Sequence, residues 1–291
     1  MTHHRLRSRD LVARHEASGR RFTAAGISSF TLDQGEGEAV LCLHGVPASS
    51  YLYRALVPAL AERGVRALAF DLPGLGLADR PADFDYSWTG LGAWAAAAVD
   101  ALGLGRFHLV VHDIGGPVGF ELAARTPDRV ASMTVLNTLV EVDGFTKPWV
   151  MRPFALPLIG PAYLAALTRP VSRVMMRRQG VLGPVPGAEL DVYVDLLKRG
   201  DRGRAFLRIM RGFETTAAKQ RAYAEVLARH PAQVIWGEHD PTLRLDPYGL
   251  AAQRATGAPQ IHLLPGKHFL PEDNAPAIAD LVARLVEANP G

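Results

Sequence analysis

Short apolar runs alternate with longer amphipathic ones along most of this chain. VLCLH (40–44), VRALAF (65–70), FHLVVH (107–112), SMTVLN (132–137), QVIW (233–236) and IHLL (261–264) have the length and continuity of strands covered on both faces. Between them, SYLYRALVPALAERG (50–64), LGAWAAAAVDALG (91–103), GPVGFELAART (116–126) and APAIADLVARLVEA (275–288) carry helical spacing. FTAAGISSFTLDQG (22–35) reads as a β-hairpin leading into the first strand. Strand and helix in alternation predict an α/β fold, with a mostly parallel sheet between helical layers.

The alternation stops after Asn137. From about Glu141 to Glu214 there is no strand-like run, only Pro and Gly punctuation and helical stretches such as AELDVYVDLLKRG (188–200) and GRAFLRIMRGF (203–213). Strand patterning resumes at Gln233. The expected organisation is a core in two parts, 1–140 and 215–291, with an all-helical insertion at 141–214. FALPLIGPAYLAAL (154–167) is the longest apolar run, yet Pro157, Gly160 and Pro161 break it. It falls short of the about 18 residues a membrane span needs, so it reads as a lid or pocket wall.

Composition changes this picture little. Apolar residues make up 48% of the 291 and charged residues 21%, enough for a large core. A formal charge of +3 gives no argument for nucleic acid. The charge is uneven, however. The insertion holds 12 Lys/Arg against 7 Asp/Glu, a net of +5, which is a solvated basic face or an attractor of anions. Cys42 is the single cysteine and sits in an apolar run, as a buried inert thiol would. With no apolar leader in MTHHRLRSRDLVARHEASGRRF, the expected location is the cytoplasm.

Chemistry gathers where strands end. In LVVHDIGGPVGFELA, the strand run stops at His112–Asp113, two glycines follow, and a helix begins. A carboxylate there serves as a helix cap, or stands exposed on a strained strand-to-helix turn as a nucleophile. LCLHGVP (41–47) ends another strand, so the Val46 N–H and the Ile114 N–H form a candidate pair of oxyanion donors. VIWGEHDP places Asp240, and LLPGKHFLPED places His268, after two further strands. The order Asp113, Asp240, His268 is that of nucleophile, acid and base on one edge of a parallel sheet. Glu141 is the alternative acid, His44 shapes its loop, and Ser49 and Ser50 read as caps.

HGVPASSYLYRALVPAL, AFDLPGLGLADRP, VVHDIGGPVGFELA, WGEHDP and KHFLPEDNAPAIADLV together resemble the Asp-nucleophile branch of the α/β-hydrolase superfamily. That branch comprises the haloalkane dehalogenases and epoxide hydrolases, and SYLYR and KHFLPED lean toward the former. The resemblance implies an α/β-hydrolase fold with a helical cap, a small-molecule substrate and water as partners, and neither metal nor organic cofactor. It further implies an aspartyl ester on Asp113, a water activated by His268, and Asp240 orienting that ring. The chain departs from the pattern around the leaving group. Ile114 stands where haloalkane dehalogenases carry a halide-binding Trp, and Val46 where many carry Asn. Trp149, in VDGFTKPW, is the candidate replacement. For an epoxide, Tyr163 and Tyr193 are the candidate alkoxide donors, with Met210 nearest the usual tyrosine position. Haloalkane dehalogenase-like hydrolysis of a small, largely apolar and uncharged electrophile is the first expectation and epoxide hydrolysis the second. A ligand-binding protein on the same fold is the non-enzymatic alternative.

Overall fold

The computed structural model describes residues 7–290. Eight strands form one sheet: β1 (Arg20–Ala24), β2 (Ile27–Gln34), β3 (Ala39–Leu43), β4 (Arg66–Phe70), β5 (Phe107–Asp113), β6 (Val130–Thr138), β7 (Ala232–Gly237) and β8 (Ile261–Leu264). Their spatial order is β1-β2-β4-β3-β5-β6-β7-β8. Only β2 runs against its neighbours; β4 through β8 are parallel. Each strand run expected from the sequence lies within two residues of an observed strand, and 22–35 folds as the β1–β2 hairpin.

Alternate residues feed opposite faces, which is why these runs are apolar throughout. Leu41 and Leu43 of β3, with Leu109 and Val111 of β5, enter one core cluster. Val40 and Cys42, with Val110, enter the other. Burial pushes the Cys42 thiol far above its ordinary value, as expected for an inert side chain.

Helices flank the sheet at Leu56–Ala61, Trp88–Ala101, Gly115–Arg125, Ala217–Arg229, Leu250–Thr256 and Leu270–Ala288, and Ser8–Ala17 precedes it. Two starts have side-chain caps: Ser87 Oγ accepts from Gly90 N, and Thr216 Oγ1 from Lys219 N. The expected helix over 50–64 is divided into a tight turn at Ser50–Tyr53 and a helix at Leu56–Ala61. At the start of the turn, buried Asp71 accepts from the Ser50 N–H at 2.6 Å. Ser49 caps the turn by accepting from Tyr51 N.

Between β6 and β7 the described chain has helices and turns but no strand. The helices within 141–214 span Arg152–Ala155, Gly160–Ala166, Arg169–Met175, Gly187–Lys198 and Arg204–Arg211. Within the apolar run 154–167, Phe154 and Leu167 are buried, but Leu158 is 93% exposed and Ile159 53%. Among the described residues no helix is long and apolar enough to cross a membrane.

Candidate active site

Four parallel strands deliver their last residues to one edge of the sheet, where open α/β folds place ligands. Asp113 ends β5 with φ of 53°, in the left-handed region that non-glycine residues seldom adopt. Small neighbours make this turn possible. A Cβ on Gly45 would lie 2.1 Å from Asp113 Oδ1, and one on Gly115 would lie 2.3 Å from the Leu43 carbonyl oxygen. The following helix has Ile114 at its start and no side-chain cap, so the carboxylate is not spent on capping.

Instead, Asp113 Oδ1 accepts from the Val46 N–H at 2.7 Å, and Oδ2 lies 3.3 Å from His268 Nε2. On the other side of the ring, His268 Nδ1 lies 2.8 Å from Asp240 Oδ2. Asp240 Oδ1 accepts from the N–H groups of Thr242 and Leu243 at 2.7 and 2.9 Å. Asp113, Asp240 and His268 therefore meet from three separate strand ends, with a buried imidazole between two carboxylates.

Electrostatics follow from that sandwich. Burial opposes charge on His268, but Asp240 and Asp113 raise its pKa to about 10. Burial alone would raise Asp113; the hydrogen bond and charge of His268, then His112 and the Ile114 N–H, hold it below the usual carboxylate range. Each group thus favours the charged form of the other.

One residue of this framework was not anticipated from the sequence. Asn137, buried at the end of β6 with φ of 38°, donates to Asp240 Oδ2 at 2.7 Å and accepts from Gly237 N at 3.1 Å. Its signal was available: a polar residue ending an apolar strand on the edge that carries the other site residues. His112 is supporting, with Nε2 2.7 Å from the His268 carbonyl oxygen. His44 shapes its loop as expected, accepting from Leu72 N at Nε2.

Asp113 and His268 open onto a cavity of about 100 Å³. Its buried wall includes Val46, Ile114, Leu139, Phe154, Phe206 and Met210. Three leaving-group candidates do not reach it. Trp149 is 79% exposed and absent from the lining. Tyr163 packs its ring on Phe154 at 4.7 Å, behind the wall. Tyr193 is buried elsewhere and donates its hydroxyl to Glu272. Glu141 is exposed and pairs with Arg254 at 3.2 Å, whereas Asp240 occupies His268 Nδ1. Among the described residues no cluster of His, Cys, Asp and Glu is arranged to hold a metal ion.

A family profile described as alpha/beta hydrolase fold matches residues 38–275. The chain is 31% identical over 271 residues to a haloalkane dehalogenase of Mycolicibacterium paratuberculosis, covering 88% of this chain and 87% of that protein. A haloalkane dehalogenase of Psychrobacter cryohalolentis is 39% identical over 125 residues, 40% of this chain and 41% of the relative. Among solved structures, haloalkane dehalogenase DatA from Agrobacterium tumefaciens superposes with a TM-score of 0.76 at 24% identity, over 93% of this chain and 96% of that one. At that identity the superposition speaks for the fold.

Proposed function

Because this chain belongs to the α/β-hydrolase superfamily, in its haloalkane dehalogenase-like branch, we propose that it hydrolyses a small halogenated substrate through an ester on Asp113, under a helical cap formed by 141–214. The observation that carries this reading is the state of Asp113. It is an ionised carboxylate on a strained turn, with one oxygen held by a backbone N–H and the other facing a histidine and an apolar cavity.

Asp113 Oδ2 attacks the sp³ carbon, the new C–O bond forms, and the halide leaves with the electron pair of the broken bond. Alkylation removes the charge of Asp113 and leaves Asp240 as the only carboxylate paired with His268. The ring then gives up its proton to solvent and becomes a base. It takes a proton from water, and the hydroxide adds to the ester carbonyl carbon. Charge develops on Oδ1, where Val46 N–H already lies at 2.7 Å and Ile114 N–H supplies the second donor. Collapse of the intermediate releases alcohol and restores the Asp113 carboxylate. Asp240, fixed by Asn137 and two backbone N–H groups, holds the ring in the tautomer this requires.

The test is the intact mass of His268→Ala after incubation with a bromoalkane and, separately, with styrene oxide. The expected result is a gain equal to the alkyl group after bromide loss, absent from Asp113→Asn. A gain equal to a whole epoxide, without alkylation by the bromide, would replace this reading with epoxide opening. No adduct in a His268→Ala protein that retains its native circular dichroism would overturn the nucleophile assignment.

A further inference from the structure

The cavity wall contains one cation whose purpose the reaction above leaves unassigned. Lys147 lines it, half-buried, with its Nζ 4.1 Å from the centroid of the Phe213 ring. Among the described residues its ammonium makes no ion pair or side-chain hydrogen bond. Burial is the one influence that moves it, holding the group below its ordinary value, and no carboxylate pulls it back. A half-desolvated ammonium with only a ring face for a partner is costly unless an anion joins it.

Its placement says which anion. Lys147 follows exposed Thr146 and precedes exposed Trp149, so this stretch of wall lies at the protein surface. Asp113 and His268 lie with Val46, Ile114 and Leu243 on the buried part of the wall. Gln179 is also half-buried in the lining and has a side-chain amide without a partner, while its carbonyl oxygen accepts from His268 N at 3.3 Å. One ammonium thus stands at the rim of an apolar cavity that has the reactive carboxylate at its floor, with the Gln179 amide in the same lining, next to His268.

We propose that the substrate carries a carboxylate remote from its electrophilic carbon, and that Lys147 holds this group at the rim while the carbon reaches Asp113. This rests on the dehalogenase reading above. A single ammonium matches a singly charged group, and the apolar wall between rim and floor matches a hydrocarbon tether. The departing halide is released at the floor, beside Asp113, so the rim cation serves the opposite end of the molecule. The insertion's net charge of +5 draws an anion toward the same opening.

The experiment compares kcat/KM for ω-bromoalkanoates and 1-bromoalkanes of equal chain length at pH 7, in wild type, Lys147→Met and Lys147→Arg, with thermal melting to show that the variants fold. At its best chain length the wild type is expected to favour the carboxylate by about 10- to 100-fold, the worth of a charge-assisted contact. Lys147→Met should bring that ratio close to one, and Lys147→Arg should retain most of it. Equal rates on both series in the wild type, or a preference that survives Lys147→Met, would overturn the inference and leave the dehalogenase reading standing. Failure of both series to alkylate Asp113 in His268→Ala would overturn the two together.

Discussion

The floor and the roof of the cavity obey different rules. On the floor, set by the sheet edge, the two carboxylates and the imidazole between them are all partnered: Asp113 with Val46 and His268, Asp240 with His268, Asn137, Thr242 and Leu243. In the roof, built from the helical insertion, the groups facing the cavity are Met, Phe and Leu, with Lys147, Ser172 and Gln179 lacking side-chain partners. A fully bonded polar floor fixes one geometry, and so fixes a reaction type. An apolar roof with few polar points fixes only volume and charge, and so selects what reacts. Chemistry and specificity are therefore separable by mutation.

The largest break in that comparison should come from the floor. Asp240→Asn leaves the shape of the site but removes the anion that orients and charges His268. Turnover should fall by about 10³- to 10⁴-fold, with ester accumulating in single-turnover mass spectra. Ester that disappears at the wild-type rate would mean that Asp240 does not serve the histidine.

Next is the joint between the two regions. Arg54 grips Glu272 of the C-terminal helix with two bonds of 2.6 and 2.8 Å, and also bonds Glu189 of the insertion. Glu272 in turn accepts from Tyr193. Arg54→Met leaves a carboxylate only 3% exposed without its cation, at a cost of about 3–5 kcal/mol measured by urea unfolding. Loss of less than 1 kcal/mol would show that the two regions do not depend on this joint.

Acid tests the sheet side separately. Burial holds His15 and His112 neutral, each with a pKa of about 4. The unfolded chain takes up these protons near pH 6.5, so the native state loses stability as pH falls from 6.5 to 4, by roughly 3 kcal/mol for each ring. His268 runs the other way. Its raised pKa contributes stability that is complete below about pH 6.5 and is lost as pH rises toward 10. Urea midpoints across pH 4–10 should thus decline at both ends, and His112→Gln should flatten the acid limb. The smallest effect is expected in the roof: Met210→Leu should change stability by less than about 1.5 kcal/mol while altering chain-length preference.

Legibility in the sequence divides along the same line. The strands and the residues at their ends were readable because a buried parallel strand must be apolar and a sheet edge collects whatever polar residue follows. Thus Asp113, Asp240 and His268, each following a strand run in a motif of its own, are legible as candidates that the fold brings together. Asn137 obeys the same rule, as a polar residue closing the apolar strand β6. The roof was not readable in detail. VDGFTKPW contains both Trp149 and Lys147, and no periodicity in an irregular segment tells which one turns inward. The helix Ser8–Ala17 also escaped, since it has no apolar stripe; it is anchored by His15, which packs on Phe30 and Tyr51 and bonds Ser50 Oγ. In the C-terminal helix Leu270–Ala288 the backbone is non-helical at Asn274 (φ −137°, ψ 26°), so the stretch 275–288 read from the sequence is the segment beyond that kink.

The backbone at Asp113 has a consequence for anyone who would engineer this molecule. A side chain held at φ of 53° costs about 1–2 kcal/mol, which glycine would not incur. Under the proposed mechanism, position 113 is thus a place where firmness and turnover oppose each other: the residue that relaxes the turn is the one with nothing to react. A search for thermostable variants that monitored folding alone would be drawn toward inert protein here, so stabilising changes belong far from this turn, where the chain has no such conflict.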